Sequence, residues 1–133
     1  MHDSDVIDHY VRWLETLTKS GVHRISMWAA KDVRHRTPLA EGAGHEAVAA
    51  VFETMFDGAA SVKTKIIDRA SSPERQTVYL RWDRLVTTPK GQIQGMSGVS
   101  EIMLGMDGKI ASITDHWDSL PQQSSGWLRF FKK

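Results

Sequence analysis

Residues 98–118, GVSEIMLGMDGKIASITDHWD, hold two runs of strand character around a single turn. Gly98, Ser100, Ile102 and Leu104 alternate with Val99, Glu101 and Met103, and GMDGK (105–109) then supplies the glycines and aspartate of a tight turn. The alternation resumes in Ile113, Asp115 and Trp117 against Thr114 and His116. A period of two is strand geometry, and two such runs joined so closely predict an antiparallel hairpin. Working back along the chain, SVKTKIID (61–68), RQTVYLRWDRLVTT (75–88) and the full run 91–104 read the same way, with SSPE and TPKGQ as turns. With KIASITDHWDSL (109–120) they predict an antiparallel meander.

The first half has a different period. Val6, Ile7, Tyr10, Trp13, Leu14 and Leu17 recur at three- and four-residue spacing, which predicts an amphipathic helix opening near Asp3 or Ser4 and ending at Gly21. Val22, Ile25 and Trp28 continue at helical spacing in a shorter segment. DVRHR (32–36) is short and polar, and Pro38, Gly42 and Gly44 mark a loop. Residues 45–57 predict a third helix, with Val48, Val51, Phe52, Met55 and Phe56 on one face and Gly58 stopping it. Helices followed by a long antiparallel sheet form an α+β pattern, and a bent sheet wrapped on helices leaves an open end suited to a ligand.

Composition narrows the class. The 133 residues suit one domain, with 41% hydrophobic and 25% charged residues and a formal charge of +1. No basic block points to nucleic acid and no apolar run reaches the roughly 18 residues of a membrane span. The absence of cysteine excludes disulfides, thiolate chemistry and Cys-based zinc sites. No His/Asp/Glu set has metal-ligand spacing, so neither metal nor cofactor is expected. The N-terminus is polar, and a cytoplasmic location is the expectation.

YLRWDRL (79–85) raises the question of chemistry. It places Arg81 and Asp83 on one side of a strand with Tyr79 and Leu85, and Leu80, Trp82 and Arg84 on the other. Parity groups these residues but does not say which group faces inward, and a one-residue slip exchanges the two.

The pieces YVRWLETLT (10–18), DVRHRTPLAEGAGHEAVAAVFETMF (32–56), YLRWD (79–83) and GVSEIMLGMDGKIASITDHWD come in an order, punctuated by Pro38, Gly44, Trp82, Gly108 and Trp117–Asp118, that resembles the nuclear transport factor 2-like superfamily. The likeness is to its polyketide-cyclase-like (SnoaL-like) branch. It implies a cone-shaped, cystatin-like α+β fold, a curved antiparallel sheet wrapped on three N-terminal helices. The domain would span 1–133, with a core at 5–120 and an apolar tail at 121–133, where Trp127, Leu128, Phe130 and Phe131 form a flap or pack on an edge. It further implies a cavity for a small hydrophobic molecule, lined by Trp28, His35, Thr37, Tyr79, Ser100, Ile102 and Trp117. A homodimer through the outer sheet face, where Trp82 would lie, completes the picture.

Members resembling limonene epoxide hydrolase set the register: Arg81 and Asp83 match an inward Arg-x-Asp, and Asp115 matches a second aspartate. The resemblance implies Asp115 as general base, Asp83 as general acid and Arg81 as the group that positions both. Two neighbouring carboxylates cannot both ionise cheaply, and an arginine between them fixes which one does. The water-holding positions fall on Arg34 and Arg36, or on His35 and Thr37 in the other register, and neither pair reproduces the family's tyrosine and asparagine. A steroid-isomerase-like reaction is disfavoured, because Thr37 and Ser100 stand where its acids would be. The alternative from another class is a non-catalytic ligand-binding or dimerisation module.

Overall fold

The computed structural model describes residues 3–117, so the expectations for Asp118 and the apolar tail lie outside the described residues. Helix α1 runs Asp3–Glu15 and buries Val6, Ile7, Tyr10, Trp13 and Leu14 on one face, while Asp5, Asp8, His9 and Arg12 face water. The Trp13 indole N–H donates to the Gly21 carbonyl at 3.0 Å, tying the turn after the helix back onto it. The second helical segment, Lys19–Met27, is a 3-10 helix. Its apolar residues explain the tighter winding: Val22, Ile25 and Trp28 recur at a strict three, the period at which 3-10 side chains share one edge. Helix α2, His45–Glu53, continues as a 3-10 turn, Thr54–Phe56. Gly44 precedes α2 with φ +89°, in the left-handed region that a side chain would strain.

Six strands form one sheet: β1 Ala29–Arg36, β2 Glu41–Ala43, β3 Ser61–Ser72, β4 Thr77–Thr87, β5 Ile93–Leu104 and β6 Ile110–Trp117. Their order is β2-β1-β6-β5-β4-β3. The meander β3–β6 is antiparallel as expected. β1 adds what the polar stretch around DVRHR concealed, a strand running parallel to β6 and antiparallel to β2. It turns only Val33 and His35 inward near its end, so it carries little hydrophobic signal. A bulge between Ile66 and Asp68 resets the pairing of β3 with β4 and bends that edge.

The core lies between the helices and the inner sheet face. Tyr10, Trp13 and Phe52 meet there, the last two edge to face with centroids 4.9 Å apart. Val78, Leu80, Ile102, Ile110 and Ile113 meet them from the strands. No helix among the described residues is long and apolar enough to cross a membrane.

Candidate functional site

On β4 the residues facing the core are Val78, Leu80, Trp82 and Arg84, all buried, while Arg81 is exposed. This reverses the expected register. Arg81 lies on the outer face opposite Val99, Tyr79 lies there opposite Glu101, and Asp83 accepts a 2.6 Å hydrogen bond from the Ser97 hydroxyl. The Arg81–Asp83–Asp115 set does not assemble, because Asp115 is on the other side of the sheet. Energetics explain the choice of face: burying each large apolar side chain contributes about 1.5–3 kcal/mol. Desolvating Arg81 and Asp83 together would cost several kcal/mol per ion. A count of charges per face, two against one, identifies the buried face from sequence alone. It would also have located Arg84 and Trp82.

Asp115 lies inward on β6, directly opposite Ser100 on β5, and only 9% of it is exposed. Its Oδ1 accepts the Ser100 hydroxyl at 2.5 Å and its Oδ2 lies 2.8 Å from His35 Nε2. Trp82 Nε1 reaches Ser100 Oγ at 3.0 Å. An indole can only donate, so Ser100 accepts there and must pass its own proton toward Asp115. Burial pushes the Asp115 carboxyl up, but the bonds from His35 and Ser100 and the charge of Arg84 outweigh it and hold the group below its ordinary range. An ionised Asp115 accepts, which places a proton on His35 Nε2. His35 Nδ1 is then the one buried side-chain polar atom among the described residues without a hydrogen-bond partner.

Trp82 reaches Ser100 because β5 offers no side chain beneath its ring. Gly98 pairs with Trp82 across the ladder, and a Cβ there would come within 2.6 Å of the indole Cη2. Trp117, opposite Gly98 on the other side, meets Trp82 edge to face at 6.0 Å. Arg84 completes the group. Its Nε donates to Thr64 Oγ1 at 2.8 Å, and its guanidinium carbon sits 4.1 Å from the Trp82 ring centroid. Burial lowers the Arg84 pKa, against the opposing charge of Asp115. Burial likewise raises that of the Tyr10 phenol, with the Asp115 charge adding to it.

His35, Asp115, Arg84 and Trp117 border a cavity of about 300 Å³ whose wall also includes Phe52 and Met55. Thr37 is at its edge, where its Oγ1 accepts the backbone N–H groups of Leu39 and Ala40. Four expected lining residues lie elsewhere: Ser100 is sealed behind Asp115 and Trp82, and the other three are further off. Trp28 packs between His9 and Trp13, Ile102 is sealed in the core, and Tyr79 is outside. No group of three or more metal-ligating side chains occurs among the described residues.

Solved structures share this architecture. An NTF2-like protein of unknown function from Exiguobacterium sp. 255-15 superposes with a TM-score of 0.71 at 16% identity, over 86% of this chain and 98% of its own. TerC, co-crystallised with polyporic acid, gives 0.74 at 15% identity, over 92% and 98%. The epoxide hydrolase/cyclase-like enzyme SalBIII, which acts in pyran ring formation in the polyether salinomycin, gives 0.71 at 13% identity, over 90% and 92%. At such identities the likeness is one of fold. No curated protein matches the sequence. Residues 10–113 match the SnoaL-like domain, and the chain therefore belongs to the SnoaL-like family of the nuclear transport factor 2-like superfamily.

Proposed function

We propose that the cavity binds a small, largely apolar molecule and that the His35–Asp115 pair moves a proton on it. The observation that carries this reading is the buried pair itself. Asp115 orients His35 through Nε2, and the opposite ring nitrogen of this wall residue has no partner and is itself buried, so a ligand must enter past the wall to reach it. A histidine aligned by a carboxylate, with its second nitrogen unengaged, has the arrangement of a general base. Asp115 acts by orientation and charge. With two hydrogen bonds and a lowered pKa it is a weak base on its own. The two-carboxylate hydrolysis suggested by resemblance is not part of this proposal, since Asp83 faces the other way.

A base can be tested before its natural substrate is known. 5-Nitrobenzisoxazole loses its ring C–H proton to a base while its N–O bond breaks, releasing a coloured phenolate, and it is small enough for this cavity. The protein is expected to accelerate that elimination over buffer, and His35→Gln to reduce the acceleration by about 10²-fold or more. A wild-type rate equal to buffer, or an unchanged His35→Gln rate, rejects the proposal. The competing reading is a non-catalytic binding module, favoured by the complete hydrogen bonding of Asp115. Ligand binding without any base activity supports it.

A further inference from the structure

Arg84 is a buried cation whose planar hydrogen-bonding fork is largely unused. It is 4% exposed, yet among the described residues its hydrogen bond is a single one, from Nε to Thr64. No acidic oxygen among those residues lies within 4.0 Å of it. A guanidinium offers five donors, and since the terminal nitrogens of Arg84 are not among the buried unpartnered atoms, they keep some surface open to the cavity, where a ligand can meet them. Its geometry is nevertheless held. Thr64 fixes the Nε edge and the Trp82 ring lies against one face, so the terminal nitrogens belong to the cavity wall. Asp115 is close enough to be felt as a charge, but its two oxygens are taken by Ser100 and His35. A preset guanidinium of this kind is matched by a carboxylate, which accepts two parallel N–H bonds.

We propose that Arg84 anchors a carboxylate of the bound molecule, so that the cavity takes small apolar monocarboxylates. The acid group would sit on the guanidinium and the apolar body along Phe52, Met55 and Trp117. The inference rests on the cavity being the ligand site, as proposed above, but not on proton transfer.

Calorimetric titration with phenylacetate and with its neutral isostere phenylacetamide separates the two ideas. The wild type is expected to bind the carboxylate at least about tenfold more tightly, equivalent to about 1.4 kcal/mol. Arg84→Met, close in length and without charge, should abolish the preference, bringing the carboxylate affinity down to that of the amide. Arg84→Lys keeps the charge without the fork and should retain only part of the preference, and it carries the test if the methionine variant fails to fold. Asp115→Asn, which removes the nearby negative charge, should tighten carboxylate binding. Equal affinities in the wild type, a preference that survives Arg84→Met, or no binding of either compound at millimolar concentration would overturn the proposal. Because no turnover is read, carboxylate preference without base activity rejects proton transfer alone. Base activity without that preference rejects only the carboxylate anchor.

Discussion

Asp115 keeps its charge in a place water barely reaches because three side chains converge on it from three other strands: His35 on β1, Ser100 on β5 and, through Ser100, Trp82 on β4. Asp115→Asn preserves the shape but not the pairing. The amide carbonyl can satisfy one of the two donors, and its NH₂ is set against the other. The expected loss is about 1–3 kcal/mol of stability at neutral pH. The pH dependence has a definite sign. A carboxyl held below its ordinary value of 3.8 stabilises the fold fully above that value, and the contribution is lost as pH falls through the lower folded value. Urea unfolding of wild type and variant should therefore show a constant gap from neutrality down to about pH 5 and a narrowing gap below it. A gap that does not change with pH would mean that the ionised carboxylate is not what stabilises the site.

At the scale of elements, the site depends on a glycine in a strand that otherwise reads as ordinary. The indole of Trp82 on β4 crosses the space above Gly98 on β5 to reach Ser100, and a methyl group at 98 would also lie 2.8 Å from the His116 carbonyl of β6. Gly98→Ala must displace either the ring or two strands, since a backbone oxygen cannot rotate away. We expect it to cost about 1–3 kcal/mol. Loss of the Trp82–Ser100 bond should follow, seen as a shift in tryptophan emission that is absent when Trp82 is replaced by Phe. Wild-type stability together with unchanged fluorescence would show that the strands absorb the methyl without moving Trp82. The same strand pair shows what could be read from sequence. The periods of 91–104 and 109–120 predict both strands and their pairing, while the resemblance, not the period, puts Ser100, Asp115 and Trp117 inward. On β4 the alternation is equally clear, but the family register points to the more charged face and the structure buries the more hydrophobic one. β1 has no period to read, because it buries only Ala29, Val33 and His35, and the short strand around 33–37 is implied by the resemblance alone.

At the scale of the whole molecule, the inverted β4 moves YLRWDRL from the cavity to a surface with a different task. Arg81 and Asp83 now belong to the outer sheet face, beside half-buried Tyr79, Leu85 and Val99 and the 43%-exposed Met103. Glu101 and His116 approach diagonally there to 3.7 Å, too long for a tight ion pair. A face that interleaves apolar residues with both signs of charge can pair with itself, because a two-fold axis brings each patch onto its own copy. We propose that two copies associate through it. The expected association does not need the buried Trp82 that resemblance had assigned to this surface. A stable pair needs about 1,200–2,000 Å² of buried surface, which an open six-stranded face can supply. Sedimentation equilibrium should give twice the 15.0 kDa of one chain. Arg81→Glu, exposed in the single chain and therefore neutral to its folding, should shift the population toward one copy by setting like charges together. The cavity opens on the opposite side of the sheet, so carboxylate binding should survive that substitution. A wild type that sediments as a single chain at micromolar concentration would leave Arg81 and Asp83 as solvated surface residues and remove the outer face from the functional account.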